Sequence, residues 1–363
     1  MNRAFLLCVV LLFAIGLLMV FNTTSAEVLN RSLECGTHHA LLKQLLYAIL
    51  GGVGAFFVWV IGYRAILSLA KPLFYFTTFL LILVFIPGIG QQINGARRWL
   101  GFFSISFQPS EFAKFVIPLY YIHVATLKKM LSFKEFIKLI ATIAVPISLI
   151  LIEPDNGTVA IILSSLVILF FLTRVKWTYW VLPLLVFLIG GGVVASQMAH
   201  VPDRIHIYLH PELDLQGKGH QPHQAKIAAG SGRVFGKGLG ESLQKLEYLP
   251  EARSDYIAAI FAEEFGFMGI LLLIIVYMMI GYLGLRMAML APDIQGTYVV
   301  AIFTFLICIQ AFLNLGVVSG LLPSKGTNLP FFSQGGSSLL ANCLAVCVIL
   351  NVYKLCQSQK KYS

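Results

Sequence analysis

The stretch YVVAIFTFLICIQAFLNLGVV, residues 298–318, holds no charged side chain. At a rise of about 1.5 Å per residue, such a helix spans about 30 Å, the thickness of a bilayer's hydrocarbon core. Similar runs recur along the chain. Their apolar cores are Phe5 to Phe21, Leu45 to Ile61, Leu73 to Ile86, Phe112 to Leu127 and Phe136 to Ile152, then Val159 to Leu172, Tyr179 to Ala195, Tyr256 to Tyr282 and Leu339 to Leu355. Composition agrees with them. The chain is 58% hydrophobic and 12% charged, where a soluble globular chain carries about a quarter charged residues. In hydrocarbon every backbone polar group must be satisfied internally, so runs of this length are read as helices rather than barrel strands. The expected fold class is therefore all-α: a polytopic membrane protein of about ten transmembrane helices. It forms a single membrane domain, residues 1–363, with one large extracytoplasmic loop at about 200–255.

The first run also carries the marks of a secretory signal peptide, with Arg3 ahead of it and the small residues Thr24, Ser25 and Ala26 before Glu27. Retention is the expectation, because keeping this helix puts most short basic loops on the N-terminal side. Those loops and span ends hold Arg64, Lys71, Lys128, Lys129, Lys134, Lys138, Arg174, Lys176 and Arg286, with Lys354, Lys360 and Lys361 in the tail. By the positive-inside rule that side is cytoplasmic. The outer side keeps Arg31, Lys43, Arg97 and Arg98, plus the basic residues of the long loop, whose charge calls for an anionic ligand or anionic headgroups. Cysteine placement implies no disulfide framework, and Cys343 and Cys347 read as small packing residues rather than metal ligands.

Four outer segments hold the candidate chemistry. In NGARRWLGFFSISFQPSEFAK (94–114), Asn94 and Gly95 predict a turn, and Pro109 suits the first turn of a helix. Glu111 then sits near the positive end of that helix with Lys114 one turn on, either as a cap with an intrahelical ion pair near the membrane surface or as a charge facing a polar cavity. EPDNGT (153–158) reads as a tight hairpin turn whose oxygens suit a hard cation such as Mg2+, though without the spacing of a dedicated cage. In QAKIAAGSGRVFGKGLGESLQKLEYLPEARSDYIAAIFAEEFGF (224–267), five glycines between Gly230 and Gly240 expose backbone N–H groups. Lys226, Arg233, Lys237 and Lys245 stand among or beside them, a combination that suits phosphate oxygens or is merely flexible. Ser254 and Asp255 precede an apolar run, where helix capping is the plainer role and general base the sharper one. GLLPSKGTNLPFFSQGGSS (320–338) carries Lys325 between two prolines, as a surface loop or a cavity-lining one.

Together these segments resemble the SEDS family, the polytopic bacterial proteins of shape, elongation, division and sporulation, over nearly the whole chain from about Leu73. QKLEYLPEARSD and PSKGTNLP look more like its division branch, FtsW, than its elongation branch, RodA. The sequence departs from the family's common residues at Arg253, Asn156 and Gln334. The resemblance implies a peptidoglycan glycosyltransferase that polymerises lipid II into glycan strands during septal wall synthesis, on the outer face of the bacterial cytoplasmic membrane. It implies Asp255 as catalytic base and Arg98, Glu111 and Lys114 in or beside the cavity. Lys237, Lys245 and Lys325 are weaker candidates for the pyrophosphate, and a divalent cation, Mg2+ or Mn2+, would share that work. Implied partners are lipid II, a class B penicillin-binding protein, other divisome proteins and the membrane, with no nucleic acid. Two alternatives are a lipid II flippase and a non-catalytic divisome scaffold. The polar segments cluster on one face and no inverted repeat is evident, which favours polymerisation over transport.

Overall fold

The computed structural model describes residues 1–31, 39–93, 95–102, 105–127, 132–197, 208, 219–246, 249–323 and 326–362. Twelve helices order the described chain: α1 (Asn2–Arg31), α2 (His39–Ile61), α3 (Tyr63–Ser68), α4 (Ala70–Val84), α5 (Pro109–Thr126), α6 (Phe133–Ile152), α7 (Asn156–Leu172), α8 (Trp177–Gln197), α9 (His220–Ser231), α10 (Ile257–Met289), α11 (Ile294–Val318) and α12 (Gly336–Tyr362). Each of the ten apolar runs falls on one of them. Among the described residues six helices are long and apolar enough to cross a bilayer, and Ala70–Val84, Asn156–Leu172 and Trp177–Val193 are shorter apolar ones.

One element departs from an all-helical reading. The first outer segment folds into a three-stranded antiparallel sheet, β1 (Gly90–Ile93), β2 (Ala96–Phe102) and β3 (Ile105–Phe107), in the order β1-β2-β3. Its alternating ARRWLGF pattern is short, and apolar neighbours in sequence hide it. Gly95, at φ 78°, turns the chain between the first two strands. Asn94 lies outside the described residues. Pro109 then opens α5 with Glu111 in its first turn, as the sequence predicts, because proline lacks only an N–H that the first helical turn does not need.

Helices approach closely where small residues face a neighbour. A side chain on Gly16 of α1 would lie 2.6 Å from the Phe332 carbonyl oxygen, and one on Gly51 of α2 would lie 3.3 Å from Cys343 of α12. Asn22, just ahead of the small residues that resemble a cleavage site, donates to both carboxylate oxygens of Glu264 at 2.8 and 2.6 Å. Lys245 closes the same network, 2.8 Å from the Asn22 side-chain oxygen and 3.0 Å from Glu264.

The glycine-rich segment serves this packing. Helix α10 breaks at Gly266, with φ 67° and ψ −166°, which frees backbone groups on both sides of the break. Residues 233–238 take them up. The N–H groups of Lys237 and Gly238 donate to the carbonyls of Glu263 and Glu264 at 3.0 Å each, and those of Phe267 and Met268 donate to Arg233 and Val234 at 2.9 and 3.0 Å. The glycines allow the approach, since a side chain on Gly236 would lie 2.1 Å from the Glu264 carbonyl oxygen and one on Gly232 would lie 2.0 Å from that of Ala262. These N–H groups are therefore spent on α10, not presented to a phosphate. Gly236→Ala combines that clash with φ 82° and is expected to destabilise the protein by roughly 2 kcal/mol or more. Gly230→Ala, facing open space in α9, should be neutral, and thermal unfolding of the detergent-solubilised variants compares the two.

Candidate active site

All four outer segments, with the start of α2, converge on a cavity of about 940 Å³. Arg98, Glu111, Lys114 and Asp255 all line it. Sequence spacing brings only Glu111 and Lys114 together, whereas tertiary packing joins the other two to them.

Lys114 is 1% exposed and its ammonium lies 2.6 Å from Glu111 and 2.6 Å from the Gln310 side-chain oxygen of α11. Both sequence readings of this pair hold at once, an ion pair within the helix and a charge facing a polar cavity. Gln310 is fixed in turn by donating to the Asn328 carbonyl at 3.0 Å. Arg98 uses two N–H groups on the α6–α7 turn, with Nε 2.8 Å from the Glu153 carbonyl oxygen and Nη2 2.7 Å from that of Pro154. Asp155 caps α7, accepting from the Thr158 N–H at 3.2 Å and its hydroxyl at 2.8 Å. The Glu153 side chain is 1% exposed and its carboxylate has no hydrogen-bond partner among the described residues. Burial, then the charge of Asp155, pushes it up to about 9 against the pull of Arg98, so at neutral pH this acid is uncharged.

Asp255 is not a helix cap. Tyr256 occupies the N-cap of α10 with no side-chain capping bond, and Ser254 turns back to Glu251 at 2.7 Å. The Asp255 carboxylate instead faces the cavity, where a side chain on Gly326 would lie 3.0 Å from its Oδ2. Asn314 of α11 holds the main chain there, its amide donating to the carbonyls of Asp255 at 2.8 Å and Thr327 at 2.6 Å. Burial raises the carboxyl most, Glu251 adds to it, Arg98 opposes, and Asp155 and Glu111 raise it further, to about 7.

The other candidates lie elsewhere. Lys237 and Lys245 do not line the cavity; they pair with Glu263 at 2.5 Å and Glu264 at 3.0 Å, two buried acids of α10. A buried carboxylate needs a counter-charge more than a solvent-facing loop needs a cation, and that decides their placement. Lys325 lies outside the described residues. Sequence reasoning passed over Lys43 of α2 as a site residue, although it lines the cavity together with Gln44 and Tyr47. Its only signal was an outer-side lysine in a chain whose other short-loop cations fall mostly inside. Arg253, Asn156 and Gln334, the three departures from the family pattern, also line the cavity. Among the described residues no group of three or more His, Cys, Asp or Glu side chains is placed to hold a metal ion. Glu111 is engaged by Lys114 and Asp155 by the start of α7, so the described carboxylates do not build a dedicated cage for Mg2+ or Mn2+.

A family model described as "Cell cycle protein", covering FtsW, RodA and SpoVE, matches residues 2–358. The chain belongs to this family. Among curated FtsW/RodA/SpoVE proteins, it is 36% identical over 359 residues to a probable peptidoglycan glycosyltransferase FtsW of Trichlorobacter lovleyi, covering 96% of this chain and 91% of that one. It is 37% identical over 352 residues to the stage V sporulation protein E of Bacillus subtilis, covering 94% of each. Two solved structures share the fold. A chain from a peptidoglycan synthase complex that coordinates polymerization and crosslinking superposes with a TM-score of 0.77 at 24% identity, covering 97% of each chain. The rod shape determining protein RodA of Thermus thermophilus superposes at 0.70 with 24% identity, covering 96% of this chain and 95% of that one. Like other members of this family, the chain is a multi-pass membrane protein.

Lys114→Met leaves Glu111 and Gln310 without the ammonium they share and is expected to cost about 3 kcal/mol or more. The double variant Lys114→Met/Glu111→Gln should recover part of that loss. A double-mutant cycle on thermal unfolding measures the coupling, and full additivity would show that the pair contributes nothing.

Proposed function

We propose that this FtsW/RodA/SpoVE protein is a peptidoglycan glycosyltransferase that polymerises lipid II on the extracytoplasmic face of the bacterial cytoplasmic membrane, with Asp255 as its general base. The observation that carries the proposal is the Asp255 carboxylate, free of any capping duty, facing a polar cavity and pushed up to about 7. A base is most effective when its pKa lies near the working pH. In glycan polymerisation a sugar 4-hydroxyl must give up its proton as its oxygen attacks the anomeric carbon of the next unit. The bond from that carbon to undecaprenyl pyrophosphate breaks, and the diphosphate departs with its negative charge.

Asp255 accepts the hydroxyl proton. Arg98, with N–H groups left over from its two carbonyl contacts, and Lys43 face the departing anion. Lys114, already paired, holds Glu111 and Gln310 in place rather than supplying net charge. The relatives named FtsW support a role in septal synthesis, and the similar chain of a peptidoglycan synthase complex supports a class B penicillin-binding protein as partner.

The test uses labelled lipid II and purified protein, with and without a class B partner. Glycan chains should form with the wild type and fall by roughly 10²–10⁴ with Asp255→Asn. Wild-type protein that makes no glycan but moves lipid II across vesicles would favour a flippase. With neither activity, and division still supported by Asp255→Asn in cells, the scaffold reading would stand. The pH profile adds a separate check. Only the ionised carboxylate accepts a proton, so the rate should climb as pH rises through about 7 and level off above it. The residual Asp255→Asn rate should lack that step.

A further inference from the structure

We infer that residues 233–243 are a membrane-interface hook, with Val234, Phe235, Leu239 and Leu243 seated in the outer edge of the lipid bilayer. The first support is depth. From Phe267 to Arg286, α10 runs without interruption through 19 steps, about 28 Å at 1.5 Å each, close to the hydrocarbon thickness. With Arg286 at the inner end, Phe267 and Met268 stand at the outer boundary. The second support is attachment, since the N–H groups of those two residues donate to Arg233 and Val234 at 2.9 and 3.0 Å. Phe235 is therefore held at the same depth as Met268.

The third support is what the loop shows to its surroundings. Phe235 is 82% exposed and Leu239 54%, on a backbone fixed by positive φ at Arg233, Gly236 and Gly238. A soluble loop rarely spends such rigidity on presenting a bare phenyl ring to water. Beside it, Phe267 is 61% exposed, and Met268, Leu272 and Ile275 continue the exposed apolar stripe along α10. The hook and this stripe make one apolar surface at the depth where lipid tails meet headgroups, with the exposed Arg233 suited to headgroup phosphates. The same loop carries Lys237 and Ser242, which hold the buried Glu263 in the outer half of α10. A hook seated in lipid therefore sets the height of the short helix that follows Asp255. That arrangement stands whether or not Asp255 is catalytic.

Phe235→Trp tests the proposal, since the exposed position leaves packing intact; gel filtration in detergent checks folding. The added emission is taken as the difference from the parent chain in vesicles of phosphatidylethanolamine and phosphatidylglycerol. Bromines placed ~5–10 Å below the phosphates should quench it roughly twofold, and aqueous iodide should leave it nearly unchanged. Iodide quenching without bromolipid quenching overturns the proposal. Protection from both, as a second protein seated on the loop would give, overturns it too. Leu239→Trp repeats the measurement on an independent residue, and the same two quenching patterns decide the question there should the first variant misfold.

Discussion

A break in a membrane helix has to be repaired by protein, because hydrocarbon offers no hydrogen bonds. In this chain the break is at Gly266 of α10, and the repair is the 233–238 segment, whose four backbone bonds replace those the helix gives up. Much of the outer architecture depends on that exchange. It brings Lys237 and Lys245 to the two buried acids at 263 and 264, and Asn22 ties α1 into the same network. It also frees the first half of α10 to leave the line of the second half, so that Asp255 ends at a cavity rather than over open headgroups.

The cavity shows how a low-dielectric wall distributes charge. Lys114 is neutralised by its neighbour one turn away, Arg98 is held by carbonyls, and burial, then the charge of Asp155, keeps Glu153 protonated. What remains is an acid at 255 whose ionisation is balanced between burial and Arg98. Such a group changes state with small changes in its surroundings.

The main-chain supports of Asp255 come from elsewhere in the sequence. Asn314 lies in an apolar run that reads as an uncharged span, yet its amide joins the carbonyls of residues 255 and 327. Gly326 leaves room beside the carboxylate that any side chain would fill. Neither residue has a local pattern that marks it. Asparagine in a span reads as a tolerated polar residue, and a glycine after lysine reads as part of a turn.

The sequence by itself determined the ten apolar runs, the proline start of α5 and the ion pair at residues 111 and 114, because hydrophobic length and i, i+3 spacing are local properties of a chain. Family resemblance named Asp255, Arg98, Glu111 and Lys114, and the structure puts all four around one cavity. Only the tertiary structure decided that Asp255 is not a cap, that the glycine-rich segment repairs a helix rather than cradling a phosphate, and that Lys237 and Lys245 belong to buried acids. Each of those turns on which groups compete for a hydrogen bond or a counter-charge. The competitors lie from 19 to 242 residues apart, beyond the reach of any local spacing rule.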